Sequence, residues 1–229
     1  MLSLLMASLA TAAPYHPIAN LEIFTSFPTD VGIRGTFEAP GRLRVTGSVG
    51  WLPRPYLDVI NNTAVANGWY KEKEADLIDA ALKNAVVIRT HLGWRPFPKQ
   101  GFQFELGYSW IGLGGGLTGG ELLEAETGYD LSYFLGDDYN FSANAELHRV
   151  EASFGWEHVI AHHLLIRWDI GGSYTFRATA KVEHEFETYW PFTEPIEQAE
   201  EDAEEKLVTI LEKNVHTPIL AVGVGWRFQ

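Results

Sequence analysis

The chain has 229 residues, no cysteine, and 17 basic against 30 acidic residues, for a formal net charge of −13. That length fits one β domain of ordinary size. The missing cysteines exclude a disulfide framework, thiol catalysis and thiolate metal sites, and the acidic balance argues against nucleic acid as a partner.

The first residues read as a processing signal. Leu2, Leu4, Leu5, Met6 and Leu9 make a short apolar stretch ahead of the small-x-small triplet Ala10-Thr11-Ala12. Residues 1–12 are therefore expected to be a signal peptide and 13–229 the mature domain, although no Lys or Arg precedes the stretch. No apolar run reaches the ~20 residues of a membrane helix.

From there a two-residue period dominates, the mark of strands whose successive side chains leave opposite faces. It is weak over 18–27, where Leu21, Ile23, Thr25 and Phe27 share a face, and a Pro28-Thr29-Asp30 turn leads into 30–38. Over 42–52, Leu43, Val45, Val49 and Trp51 oppose Arg44, Thr46 and Ser48. Over 85–96, Val86, Ile88, Leu92 and Trp94 oppose Arg89, His91 and Arg95. The clearest case is 101–112, with Phe102, Phe104, Leu106, Tyr108 and Trp110 against Gln103, Glu105, Gly107 and Ser109. The pattern returns at 145–158, 162–180 and 215–228. Eight such segments predict an all-β, eight-stranded antiparallel barrel.

Side-chain volume decides which face looks inward. Eight strands enclose room for modest side chains only, and four or five bulky apolar residues per strand would overfill it. The apolar face must then look outward, toward lipid. The strand cations are Arg without exception, the residue suited to rigid, bidentate, partly buried pairs. The expected lumen network comprises Glu22, Arg34, Glu38, Arg44, Arg89, Glu105, Arg149, Glu151, Asp169, Arg177 and Arg227. Both signs recur along the face, as buried charges require, so the barrel is expected to be closed rather than a pore.

Connections alternate between short links (39–41, 97–100, 158–162) and long inserts (53–84, 113–144, 181–214). Bacterial barrels put short turns on the periplasmic side and long loops outside, which orients every strand. Trp94, Trp156 and Trp226 then end downward strands, and Trp51 and Trp110 end upward ones, as expected of an aromatic girdle at two membrane interfaces.

In these features the chain resembles small bacterial outer-membrane β-barrel proteins, the class that includes the eight-stranded outer-membrane protein A and X types. Gly223, Trp226 and Phe228 match the spacing of the C-terminal signal of that class, with Ala221 in place of a polar residue and Gln229 after the terminal aromatic. The resemblance implies a Gram-negative outer membrane, with lipid and the barrel-assembly machinery as partners, a monomeric state and no cofactor.

The first insert shows helical spacing at Tyr56, Leu57, Ile60, Ala64 and Val65, and again at Ala75, Leu77, Ile78, Ala81 and Leu82. The third predicts a helix over 196–213, with Ala199, Ala203, Leu207, Ile210 and Leu211 as its stripe. The three inserts together carry −15, so the barrel body is slightly basic and the acidity lies in the outer loops. No spacing there matches a calcium loop.

Candidate chemistry is thin. His158, His162 and His163, with Glu157 adjacent, could meet at one turn as a metal site. His148 with Ser142 and Glu146, or His184 and His216 beside the acidic insert, are the only groups suggestive of lipid-modifying catalysis. Gly112–Gly120 lacks the Lys and Ser/Thr of a phosphate loop and reads as a flexible exit from the fifth strand. The expectation is a non-enzymatic protein with an envelope-structural or surface-binding role, any extracellular ligand meeting its loops. A small porin, a lipid-modifying enzyme and a soluble lipocalin-like barrel are the alternatives.

Overall fold

Strict alternation leaves each strand one face for lipid and one for its own interior, and closing the sheet satisfies every edge. In a computed structural model, which describes residues 17–68, 84–97, 100–118, 140–184, 193–214 and 216–228, the chain does this. The strands are β1 (Ile18–Phe27), β2 (Asp30–Glu38), β3 (Leu43–Trp51), β4 (Asn84–Phe97), β5 (Phe102–Thr118), β6 (Asn140–Ile160), β7 (Leu164–His184) and β8 (Pro218–Phe228). Each pairs antiparallel with its sequence neighbours, and β8 returns to β1 to close the barrel. Helices α1 (Arg54–Ala66) and α2 (Thr193–Asn214) stand at the end that carries the long inserts, called here the upper end.

The apolar face is outside. Ile23, Leu92 and Tyr174 are 70%, 67% and 57% exposed, whereas Arg44, Arg149 and Arg167 are exposed by 1%, 0% and 1%. A water-soluble protein reverses this arrangement, so the barrel is built to stand in lipid. On β6 the outward residues between His158 and His148 are Trp156, Phe154, Ala152 and Val150. Ten residues of tilted strand rise roughly 25 Å, the height of the apolar band of such barrels.

Above that band the polarity inverts. Outward positions become Asn144, Glu146, Thr179, Lys181 and Glu183, while inward ones become Ala143, Ala145, Leu147, Ala178 and Val182. Of the inward set, Ala145, Leu147 and Ala178 join Ala85, Val87, Ile111 and Leu113 in an apolar cluster that Leu211 of α2 completes. Strands β5, β6 and β7 thus run past the membrane into water and become an ordinary sheet with a buried apolar face.

This extension corrects the expected strand limits. Residues 112–118 are not a flexible exit; they continue β5 in register with β6, from Gly112 opposite Glu146 to Thr118 opposite Asn140. Likewise β6 begins at Asn140 and β7 runs to His184. The expected helix at 196–213 is α2, and the first stretch at 56–65 is α1. The signal segment and the helical stretch at 75–82 lie outside the described residues.

Because β8 stops at Pro218 opposite Gly172, β7 has no strand partner on that side farther up among the described residues. Four of its amides find partners elsewhere. Ser173 N–H donates to the Thr217 carbonyl at 2.9 Å and Thr175 N–H to His216 Nδ1 at 3.4 Å. Two α2 carboxylates take the next donors, Glu212 from Ala178 N–H at 3.1 Å and Glu204 from Val182 N–H at 2.8 Å. Ala203 and Leu207 are the buried stripe of the helix, and Glu200 meets His184 Nδ1 at 2.8 Å.

Candidate functional site

The lumen holds the densest chemistry in the described residues. Seven arginines and seven carboxylates point inward: Arg34, Arg44, Arg89, Arg95, Arg149, Arg167 and Arg227 with Glu22, Asp30, Glu38, Glu105, Glu151, Glu157 and Asp169. The formal charges of these seven arginines and seven carboxylates cancel. Paired guanidinium and carboxylate groups in a low-dielectric interior stand only when each charge has its counter-charge close by.

Three tiers can be traced. At the bottom, Glu157 accepts from Arg44 Nη2 at 2.8 Å, Arg95 Nη1 at 3.2 Å, Asn20 Nδ2 at 3.2 Å and Arg227 Nη2. Glu38 closes this tier on Arg95 and, at 3.9 Å, on Arg44. In the middle, Arg167 bridges Glu105 at 2.7 Å and Asp169 at 2.9 Å, while Asp169 also accepts from Arg34 at 2.9 Å and Gln103 at 2.9 Å. Thr46 donates to Glu105 at 3.0 Å. Glu22 lies 3.8 Å from Arg34 and 4.0 Å from Arg167. At the top, Arg89 joins Glu151 at 3.0 Å and Asp30 at 2.6 Å, with His91 Nε2 3.1 Å and Arg149 3.7 Å from Glu151. Arg149 also donates to Thr217 Oγ1 at 2.9 Å and to Ser173 Oγ.

Little space remains between the tiers. A cavity of about 30 Å³, lined by Arg34, Arg89, His91, Glu105, Glu151 and Asp169 among others, is the room of one or two waters. Glycine does part of this work. A Cβ at Gly223 would stand 2.7 Å from Glu22 Oε2, and one at Gly93 would stand 2.7 Å from Glu105 Cγ. At Gly93 the Cβ would also stand 2.9 Å from the Phe104 carbonyl, so that position has no room for a larger residue.

Ten of the eleven network residues expected from the sequence face the lumen; Arg177 does not. A β-bulge shifts the β6–β7 register so that His148 opposes Arg177 and Arg149 opposes Thr175. The extra residue, Phe176, turns both itself and Arg177 outward. The expected network omits Arg95 and Arg167, which alternation puts on the polar face, and also Asp30 and Glu157. Each is on the inward parity of its strand, and extending the period two residues past Gly155 would have placed Glu157 inside.

That position also removes the metal reading at the lower turn. Glu157 is turned away into the lumen, His163 stacks on Trp226 with centroids 5.1 Å apart, and no metal-holding cluster occurs among the described residues. His148 accepts or donates at 2.6 Å with Tyr108, not with Ser142 or Glu146. His184 is bound to Glu200 and His216 stacks on Tyr174. The expected set of Ser142, Glu146 and His148 is therefore not assembled.

The tryptophans expected at the interfaces, Trp51, Trp94, Trp110, Trp156 and Trp226, all sit on outward positions. Trp168 adds to them, stacked on Trp156 with centroids 4.4 Å apart. At the C-terminal end, Trp226 and Phe228 face outward and Gly223 inward, while Ala221 is a buried inward residue.

Closed strands, a lipid-facing apolar wall and a charge-filled interior define a membrane-spanning β-barrel. Its fold is similar to that of a major outer membrane protein from Thermus thermophilus, at 14% identity and a TM-score of 0.49, covering 93% of this chain and 100% of that one. CarO2 and CarO from Acinetobacter baumannii are also similar, each at 12% identity, with TM-scores of 0.41 and 0.38. The alignments cover 94% and 92% of this chain, and 100% and 97% of theirs. No protein-family model and no curated protein matches the sequence.

Proposed function

We propose that this chain is a monomeric outer-membrane protein of a bacterium, non-catalytic, with an envelope-structural or surface-binding role carried by its acidic inserts. The observation that carries this reading is the filled lumen. Seven arginines and seven carboxylates interlock across it, and the space left holds one or two waters. A column so occupied passes no solute, which leaves the outer surface as the working part. Eight-stranded barrels with long loops on one side are an outer-membrane architecture. On that orientation α1, α2 and the inserts, which carry the chain's excess acid, face the outside.

The test has two arms. In planar bilayers the purified barrel should show no steady conductance; large stable currents would make it a small porin instead. Deleting residues 54–82 should leave the barrel folded, shown by heat-dependent gel mobility, while envelope integrity and surface binding decline. Unchanged envelope and binding would overturn the proposed role. Acyl-chain release or transfer on incubation with outer-membrane lipid would establish an enzyme.

A further inference from the structure

Among the described strand residues, only two cations face outward, Arg177 and Lys181. Lys181 is neutralised by its own neighbour: the Glu183 carboxylate accepts its hydrogen bond and raises its pKa. The side chain of Arg177 makes no ion pair or hydrogen bond among the described residues. Glu146 also faces outward, two residues above His148 and opposite Thr179, and it does not bridge to Arg177. An arginine on the lipid-facing wall of a barrel is costly unless its charge is met.

Its surroundings are organised. The bulge sets Arg177 directly opposite His148 and beside Phe176. Tyr108, His148 and Phe176 form a ring triangle with centroid separations of 6.0, 6.3 and 6.5 Å. The Tyr108 hydroxyl and His148 Nδ1 lie 2.6 Å apart. With the phenol donating, the ring proton stays on Nε2, which is left as a donor. The patch stands at the upper limit of the apolar band, where Tyr174 and Phe176 give way to Arg177 and Thr179. That is headgroup depth.

We propose that Arg177 and His148, with Tyr108 orienting the imidazole, bind the phosphate of a lipid headgroup in the upper leaflet. The proposal rests on the barrel spanning a bilayer. The guanidinium supplies a planar pair of donors that matches phosphate oxygens, the imidazole Nε2–H adds one more, and the aromatic rings pack against the upper acyl carbons. The bulge is the device that presents the site, since without the extra residue Arg177 would point inward at the apolar cluster.

Native mass spectrometry of the full chain in detergent, with phosphatidic acid or phosphatidylcholine at equal mole fraction, tests this. The wild type should retain phosphatidic acid preferentially. Arg177→Gln should lose about tenfold of that preference, as expected from removing a charge-assisted donor pair. Arg177→Lys should keep part of it, and Arg42→Gln, which removes a cation from a lower turn, should change nothing. Heat-dependent gel mobility of each variant confirms a folded barrel, so loss of the site is distinguishable from loss of the membrane fold. Equal retention of both lipids, an unchanged preference in Arg177→Gln, an equal drop in Arg42→Gln, or displacement by millimolar inorganic phosphate would each overturn the proposal.

Discussion

Replacing Glu157 by Gln tests whether the lumen is held by its charges. The side chain keeps its shape, but the one carboxylate that joins Arg44, Arg95 and Arg227 becomes a neutral amide. Glu38 then stays in contact with Arg95 and 3.9 Å from Arg44, and Glu105 lies 3.8 Å from Arg44. Removing one partner of a buried pair costs about 3–5 kcal/mol through the charge left behind. Since Gln still accepts one hydrogen bond, the lower figure applies, about 3 kcal/mol. With an m-value of roughly 1–3 kcal/mol/M, the urea midpoint should fall by about 1–3 M. Tryptophan fluorescence of the barrel refolded into lipid vesicles reports the transition. The double variant Glu157→Gln with Arg227→Gln should recover part of the loss, with a coupling of about 1–3 kcal/mol. A column closed to ions should also show a shift nearly independent of salt. A loss below about 0.5 kcal/mol, or one erased by salt, would mean a hydrated lumen and refute the reasoning.

Leu106→Arg, at a lipid-facing position 57% exposed, should cost about 2–4 kcal/mol by the same unfolding assay. Thr179→Arg, on the same wall but above the polarity inversion, should cost under about 1 kcal/mol; equal costs would displace the membrane boundary. Gly101 sits at φ +68°, and a Cβ there would collide with the Glu157 carbonyl. Gly101→Ala should therefore destabilise by at least about 1–2 kcal/mol, and a neutral result would mean that the turn relaxes freely.

The membrane-spanning part of the barrel was legible because one rule governed it. From Phe102 to Trp110, or Leu220 to Phe228, lipid outside and charge inside enforce a period of two without interruption. The rule stops where the solvent changes. Past Val150 the outward residues turn polar and the inward ones small and apolar, and Gly114, Gly115 and Gly116 have no strand propensity of their own, so the strands seemed to end early. Arg177 was lost for another reason. One inserted residue reverses parity for everything above it, and nothing local at Phe176 announces a bulge. Pairing was illegible altogether, because the three arginines that converge on Glu157 come from β3, β4 and β8. Alternation gives each strand's face but not the height at which it meets the others.

The side of β7 that α2 covers has a consequence for assembly. A run of unpaired strand amides is a template on which any extended chain can add itself. In this protein the carboxylates of Glu204 and Glu212 occupy that template from a helix that arrives only after β7 has been made. Until α2 docks, a second nascent copy could take its place strand for strand. The helix is thus a sheath whose timing decides whether one chain closes on itself or two chains merge. Shortening the 185–217 insert to display foreign peptides would leave the template bare, and the product to look for is a dimer joined edge to edge.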